Sequence, residues 1–124
     1  MSTELSVELP RTAEAPYLAR RALADMQGIA PELLPDLRLL VSELITNSVK
    51  YGGEGPVRLE VTADEGKVRA EIIDQGVGIT PERRNDDLDK VGGWGLHLVE
   101  RLTSNWGTYE GSTHVWFEMD LRAA

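Results

Sequence analysis

Small and apolar positions recur at intervals of three and four between residues 33 and 48. Leu33, Leu37, Leu40, Val41, Leu44, Ile45 and Ser48 fall on one broad stripe, and the spacing predicts a helix. Its start is expected near Pro31 and Glu32, with Pro35 tolerated in the first turn, and its end at Gly52-Gly53 and Gly55-Pro56. Upstream, Leu5, Val7 and Leu9 alternate with polar residues from Glu4 to Leu9, which predicts a strand closed by Pro10. Residues 12–26 read as a helix, with Thr12 as N-cap, Tyr17, Leu18, Ala22 and Leu23 at helical spacing, and Gln27-Gly28 as its stop. Downstream, Val57, Leu59 and Val61 alternate with Arg58, Glu60 and Thr62, so a half-buried strand is expected. Asp64-Glu65-Gly66 marks a hairpin, and Val68, Ala70 and Ile72 line the inner face of the return strand. From Thr80 to Val91 the chain turns polar and charged, the pattern of a mobile loop or lid. Gly92-Gly93-Trp94-Gly95 opens a short helix, Leu96 to Leu102, with Leu98, Val99 and Leu102 as its buried edge. Asn105 to Tyr109 predicts a strand and Glu110-Gly111-Ser112 a turn. The last strand runs from Thr113 to Leu121, with Thr113, Val115, Phe117, Met119 and Leu121 on one face.

At 124 residues the chain fits a single domain, residues 1–124, and neither an internal repeat nor a linker divides it. It has no cysteine, which excludes disulfides, thiolate metal sites and a cysteine nucleophile, and its two histidines are too few for a histidine metal cluster. No apolar run approaches the ~20 residues of a membrane span, and no signal-peptide pattern opens the chain, so a cytoplasmic location is expected. The formal charge of −8 argues against nonspecific binding to nucleic acid or an anionic membrane. A polyanionic ligand would have to be held by local groups or a metal.

Candidate chemistry gathers at a few positions. Glu43, Asn47 and Lys50 share a second face of the central helix, about a quarter-turn from the apolar stripe. A carboxylate there can take a proton, and a carboxamide can hold a metal through its oxygen. Strand parity turns Asp74 toward the core side, which is costly for a carboxylate unless it meets a donor. Gln75-Gly76-Val77-Gly78-Ile79 then removes two side chains from a turn. The later glycine run offers free backbone N–H groups and a positive helix end, suited to phosphate. Each feature also has an ordinary reading: a solvated polar face, a simple turn, a flexible connection. His97 reads as an exposed helix residue, His114 as an outward strand residue, and Trp94, Trp106 and Trp116 as packing residues.

Their order is more specific than any one of them. Glu-x-x-x-Asn on a helix precedes Asp-x-Gly-x-Gly after a hairpin strand, a polar lid, Gly-x-Gly-Leu at a helix start, and Gly-x-Thr entering a strand. This order resembles the four sequence boxes of the GHKL ATPases, the Bergerat-fold family that includes gyrase and sensor histidine kinases. It is most similar to the stand-alone anti-sigma-factor serine kinases, a similarity that includes Ser42 to Gly52 and Val115-Trp116-Phe117-Glu118. The implied fold is an α/β (α+β) two-layer sandwich, a mixed, mostly antiparallel sheet covered on one face by three helices.

By the same resemblance, Asn47 would coordinate Mg²⁺ bridging the phosphates of ATP, and Glu43 would be the general base. Asp74 would accept a hydrogen bond from the adenine amino group. Gly76 and Gly78 would admit the purine, with Ile79 in the same binding segment, and Thr113 would support adenine or Asp74. Gly93, Gly95 and Leu96 would present amides to phosphate beneath the lid, with Lys50 and Lys90 as charge partners. Trp94 departs from the pattern, standing where many relatives carry a basic residue. The implied function is an ATP-dependent serine/threonine kinase that binds a sigma factor and phosphorylates a small antagonist protein, in a group whose members are commonly homodimers. Two alternatives remain open at this stage: a noncatalytic nucleotide-dependent interaction module, and a detached histidine-kinase catalytic domain.

Overall fold

The computed structural model describes residues 2–51, 55–74, 94–108 and 114–121, with backbone alone at Tyr51 and at residues 94–97. Along the chain these residues form β1 (Thr3–Leu9), α1 (Ala15–Asp25), α2 (Leu34–Tyr51), β2 (Val57–Asp64), β3 (Lys67–Asp74), α3 (Trp94–Leu102), β4 (Asn105–Thr108) and β5 (Val115–Asp120). The strands make one sheet in the order β1-β2-β3-β5-β4, and every pairing among the described residues is antiparallel. With the helices on one face, this is the expected two-layer α+β sandwich.

The alternation of apolar and polar residues explains the layering. Val57, Leu59, Val61 and Ala63 of β2 are buried, as are Val68, Ala70 and Ile72 of β3 and Val115, Phe117 and Met119 of β5. Asp64 pairs with Lys67 across a two-residue turn in which Glu65 (φ 23°) and Gly66 (φ 81°) both have positive φ. Such a turn matches the twist of the strands it joins. Against this sheet lies α2, and all seven positions of its predicted stripe are buried, Ser48 included. α3 adds Val99, with Leu98 and Leu102 partly buried beside it.

Three details differ from the sequence expectation. α1 begins at Ala15 rather than Thr12, and no side chain caps its N-terminus. Thr12 instead accepts the Glu14 N–H on its hydroxyl at 3.3 Å, a local turn that competes with helix, and Pro16 then sets the first turn. The buried line of α1 is Ala15, Ala19 and Leu23, whereas Tyr17 is 51% exposed. Small side chains let α1 lie close on α2, so the alanines rather than the aromatic face inward. α2 in turn starts at Leu34, after a tight turn in which the Leu33 N–H bonds to the Ala30 carbonyl at 2.9 Å. Pro35 falls in the first turn, where its missing N–H costs nothing.

Candidate functional site

α2 presents Glu43 and Asn47 one turn apart at the border of its buried stripe, both half-buried, while Lys50 is exposed in the last turn. Among the described residues, no hydrogen bond or ion pair engages the Glu43 carboxylate or the Asn47 amide. Glu43 lines a groove of about 580 Å³ together with Arg20, Leu34, Arg38, Leu39 and Ser42. Arg20 reaches across from α1 and donates to the Ser42 hydroxyl at 3.0 Å. The groove therefore sets an unengaged carboxylate beside two guanidinium groups and an exposed leucine, Leu39. Locally this reverses the sign of a chain whose formal charge is −8.

Asp74 ends β3 on the inner face, opposite Val57, and its side chain is fully buried. The inward parity read from the sequence holds. What the sequence reading missed is the cation that meets it. Arg11, just past the end of β1, donates from Nη2 to Asp74 Oδ1 at 2.6 Å. Its Nη1 donates to the Ser48 carbonyl, and its Nε donates to the Gly55 carbonyl at 2.8 Å. One guanidinium thus joins the end of α2, the approach to β2 and the end of β3. The register contains the signal that could have found it. Leu9 pairs with Val57 and Val57 with Asp74, so the ends of β1 and β3 lie at the same end of the sheet. Arg11 is two residues beyond inward-facing Leu9, the same parity carried past the strand.

Elsewhere the expectations are met only in part. α3 starts at Trp94, so Gly95 and Leu96 lie in its first turn, where backbone N–H groups have no partner within the helix. Gly76, Gly78, Ile79, Lys90, Gly93 and Thr113 lie outside the described residues, as does the Thr80 to Val91 lid segment. His114 bonds through Nε2 to Glu71 Oε1 at 2.6 Å, in line with an outward structural position. Among the described residues no three His, Cys, Asp or Glu side chains gather as a metal site.

The histidine kinase-like ATPase domain model matches residues 8–119, a span that takes in Arg11, Glu43, Asn47, Asp74 and the glycine segments. The chain belongs to that family. The serine-protein kinase RsbW of Listeria monocytogenes serovar 1/2a is 31% identical to it over 120 residues, 82% of this chain and 76% of that protein. The RsbW of Staphylococcus epidermidis is 27% identical over 127 residues, 87% of this chain and 80% of that one. The anti-sigma F factor of Clostridium beijerinckii is 35% identical over 83 residues, 61% of this chain and 58% of its own.

Proposed function

We propose that this histidine kinase-like domain is an ATP-dependent serine/threonine protein kinase of the anti-sigma type, acting on a small antagonist protein. The observation that carries the reading is the Glu43 and Asn47 pair on one face of α2, in a chain 31% identical to a protein named serine-protein kinase RsbW. Glu43 takes the proton from a serine or threonine hydroxyl as that oxygen bonds to the γ-phosphorus of ATP. The bond from the γ-phosphorus to the bridging oxygen breaks, and ADP leaves. The groove beside Glu43 opens to solvent and suits an approaching acceptor segment. Asp74 accepts from the adenine 6-amino group, and Gly76, Gly78 and Ile79 border the base, with Thr113 in support. Gly93, Gly95 and Leu96 offer amides to the phosphates, and Lys50 and Lys90 add charge.

Asn47 fits a magnesium site: a half-buried carboxamide without another partner among the described residues supplies one hard oxygen. Magnesium is commonly held by one or two protein groups, with phosphates and waters completing its shell, so the lack of an acidic cluster among the described residues is no obstacle. When bound, the ion neutralises phosphate charge. The partners we assign are a sigma factor, the antagonist and a second copy of the chain, in the cytoplasm, with neither nucleic acid nor membrane involved. No helix among the described residues is long and apolar enough to cross a membrane.

Trp94, standing where a basic residue is common, favours one competing reading, a module that holds ATP without transferring phosphate. Incubating the protein with Mg-ATP and candidate antagonists separates the readings. Phosphoserine or phosphothreonine on the antagonist supports the kinase. Acid-labile phosphohistidine points to a detached histidine-kinase domain, and no transfer at all leaves the binding module.

A further inference from the structure

The Arg11 clamp goes unused by the chemistry above, yet it is built into the same site. We propose that Arg11 is the positioning residue for base recognition. It holds the Asp74 carboxylate in the one orientation that reads a 6-amino group, and it fixes that carboxylate to the end of the helix that carries Asn47. The proposal rests on the reading that Asp74 contacts adenine.

Three features of the geometry support it. First, the Asp74 side chain is fully buried, and among the described residues Arg11 is the cation paired with it, at 2.6 Å. A buried carboxylate stripped of a charged partner is destabilised, and it turns or recruits water to relieve the loss. Second, the guanidinium is a rigid planar fork that stays charged, and two further donors, on Nη1 and Nε, are anchored on two carbonyls. Oδ1 is therefore held against a fixed plane, which fixes the plane of the carboxylate as well. An oriented, acceptor-only carboxylate favours an amino group over an oxo group at the same ring position. Third, the anchors belong to the elements of the site. Ser48 is one residue from Asn47, and its carbonyl is among the last four of α2, which have no partner within the helix and lie at the negative end of its dipole. Gly55, at φ 90°, turns the chain so that its carbonyl meets Nε just before β2 begins. Base-reading strand and metal-holding helix thus share one side chain, itself only 15% exposed.

A structural staple alone would lower stability without altering which base is preferred. The two roles separate by titrating ATP and ITP into wild type, Arg11→Met, Arg11→Lys and Asp74→Asn by calorimetry with Mg²⁺, alongside thermal denaturation. The two bases differ in the 6-amino or 6-oxo group and in the adjoining N1, an acceptor in adenine and an N–H donor in hypoxanthine. Wild type should prefer ATP by about tenfold or more, as expected for one charge-assisted hydrogen bond. Arg11→Met should bring the ATP/ITP ratio close to that of Asp74→Asn. Arg11→Lys, which keeps the charge but not the fork, should fall between wild type and Arg11→Met. If Arg11→Met does not fold, Arg11→Lys carries the test by the same ratio. Folded variants with lower melting temperatures and the wild-type ratio would reduce Arg11 to a staple and overturn the proposal. Equal affinity of the wild type for ATP and ITP would instead overturn the reading of Asp74, and this inference with it.

Discussion

For Glu43 and Asn47, little separates the proposed roles from those of ordinary surface residues at the scale of single side chains. Both stand at the edge of a buried stripe, and a shift of one position would place either in solvent or in the core. As the proposed base, Glu43 would act when the acceptor hydroxyl loses its proton and contribute little to holding ATP. Glu43→Gln keeps size and polarity but cannot take up a full proton. Mg-ATP affinity should stay within about twofold while phosphate transfer falls about 10²-fold or more, the scale for losing a general base. Calorimetry and a timed transfer assay check the two halves, and equal transfer rates would remove Glu43 from the mechanism. The legibility of these residues follows their physics. Glu43, Asn47 and Asp74 could be read because helix and strand periods fix where a side chain points once the element is known. Arg11 could not, since its role depends on a partner 63 positions away in sequence. Only the strand register brings the two together.

Legibility varies in the same way among elements. The buried stripe of α2 was legible because it is long, its apolar residues are large, and its period has no competitor, although the helix begins at Leu34 rather than near Pro31. α1 was misread because hydrophobicity and burial diverge when two helices pack closely. Ala15 and Ala19 are buried for their small size, and Tyr17 keeps its ring outside, with the Arg21 guanidinium 6.0 Å from its centroid. The sheet shows a third case, on the face away from the helices. Trp116 of β5 lies opposite Gly107 of β4, and Arg69 stacks on the indole at 4.6 Å. A Cβ added at Gly107 would come within 2.7 Å of the Trp116 ring nitrogen. The glycine is there because the neighbouring strand's indole occupies its side-chain space, something a sequence cannot show without the register. Gly107→Ala should destabilise the fold by about 1–3 kcal/mol, the usual cost of overpacking. A urea denaturation midpoint equal to that of the wild type would mean that the indole moves aside freely.

For the whole molecule the governing quantity is charge. A chain of formal charge −8 repels free ATP, and screening weakens that repulsion without removing it. Arg11 is committed to Asp74, and Arg20 and Arg38 lie in the groove beside Glu43, which leaves Lys50 as the described cation proposed for the phosphates. Binding should therefore depend on magnesium to an unusual degree, and Asn47 is where that dependence should enter. A ligand that binds only the folded state, at about a hundred times its dissociation constant, stabilises it by ~2.7 kcal/mol. For a chain of this length that corresponds to a rise in melting temperature on the order of 10 °C. Saturating Mg-ATP should produce such a rise in the wild type, and ATP with a chelator a much smaller one. In Asn47→Ala the difference between the two conditions should nearly vanish, because the ion loses its hold on the protein while the base contact at Asp74 remains. Differential scanning of the two proteins with and without the metal decides the matter. A full magnesium-dependent rise in Asn47→Ala would leave Asn47 as a helix residue and send the search for the metal's anchor to the glycine segments.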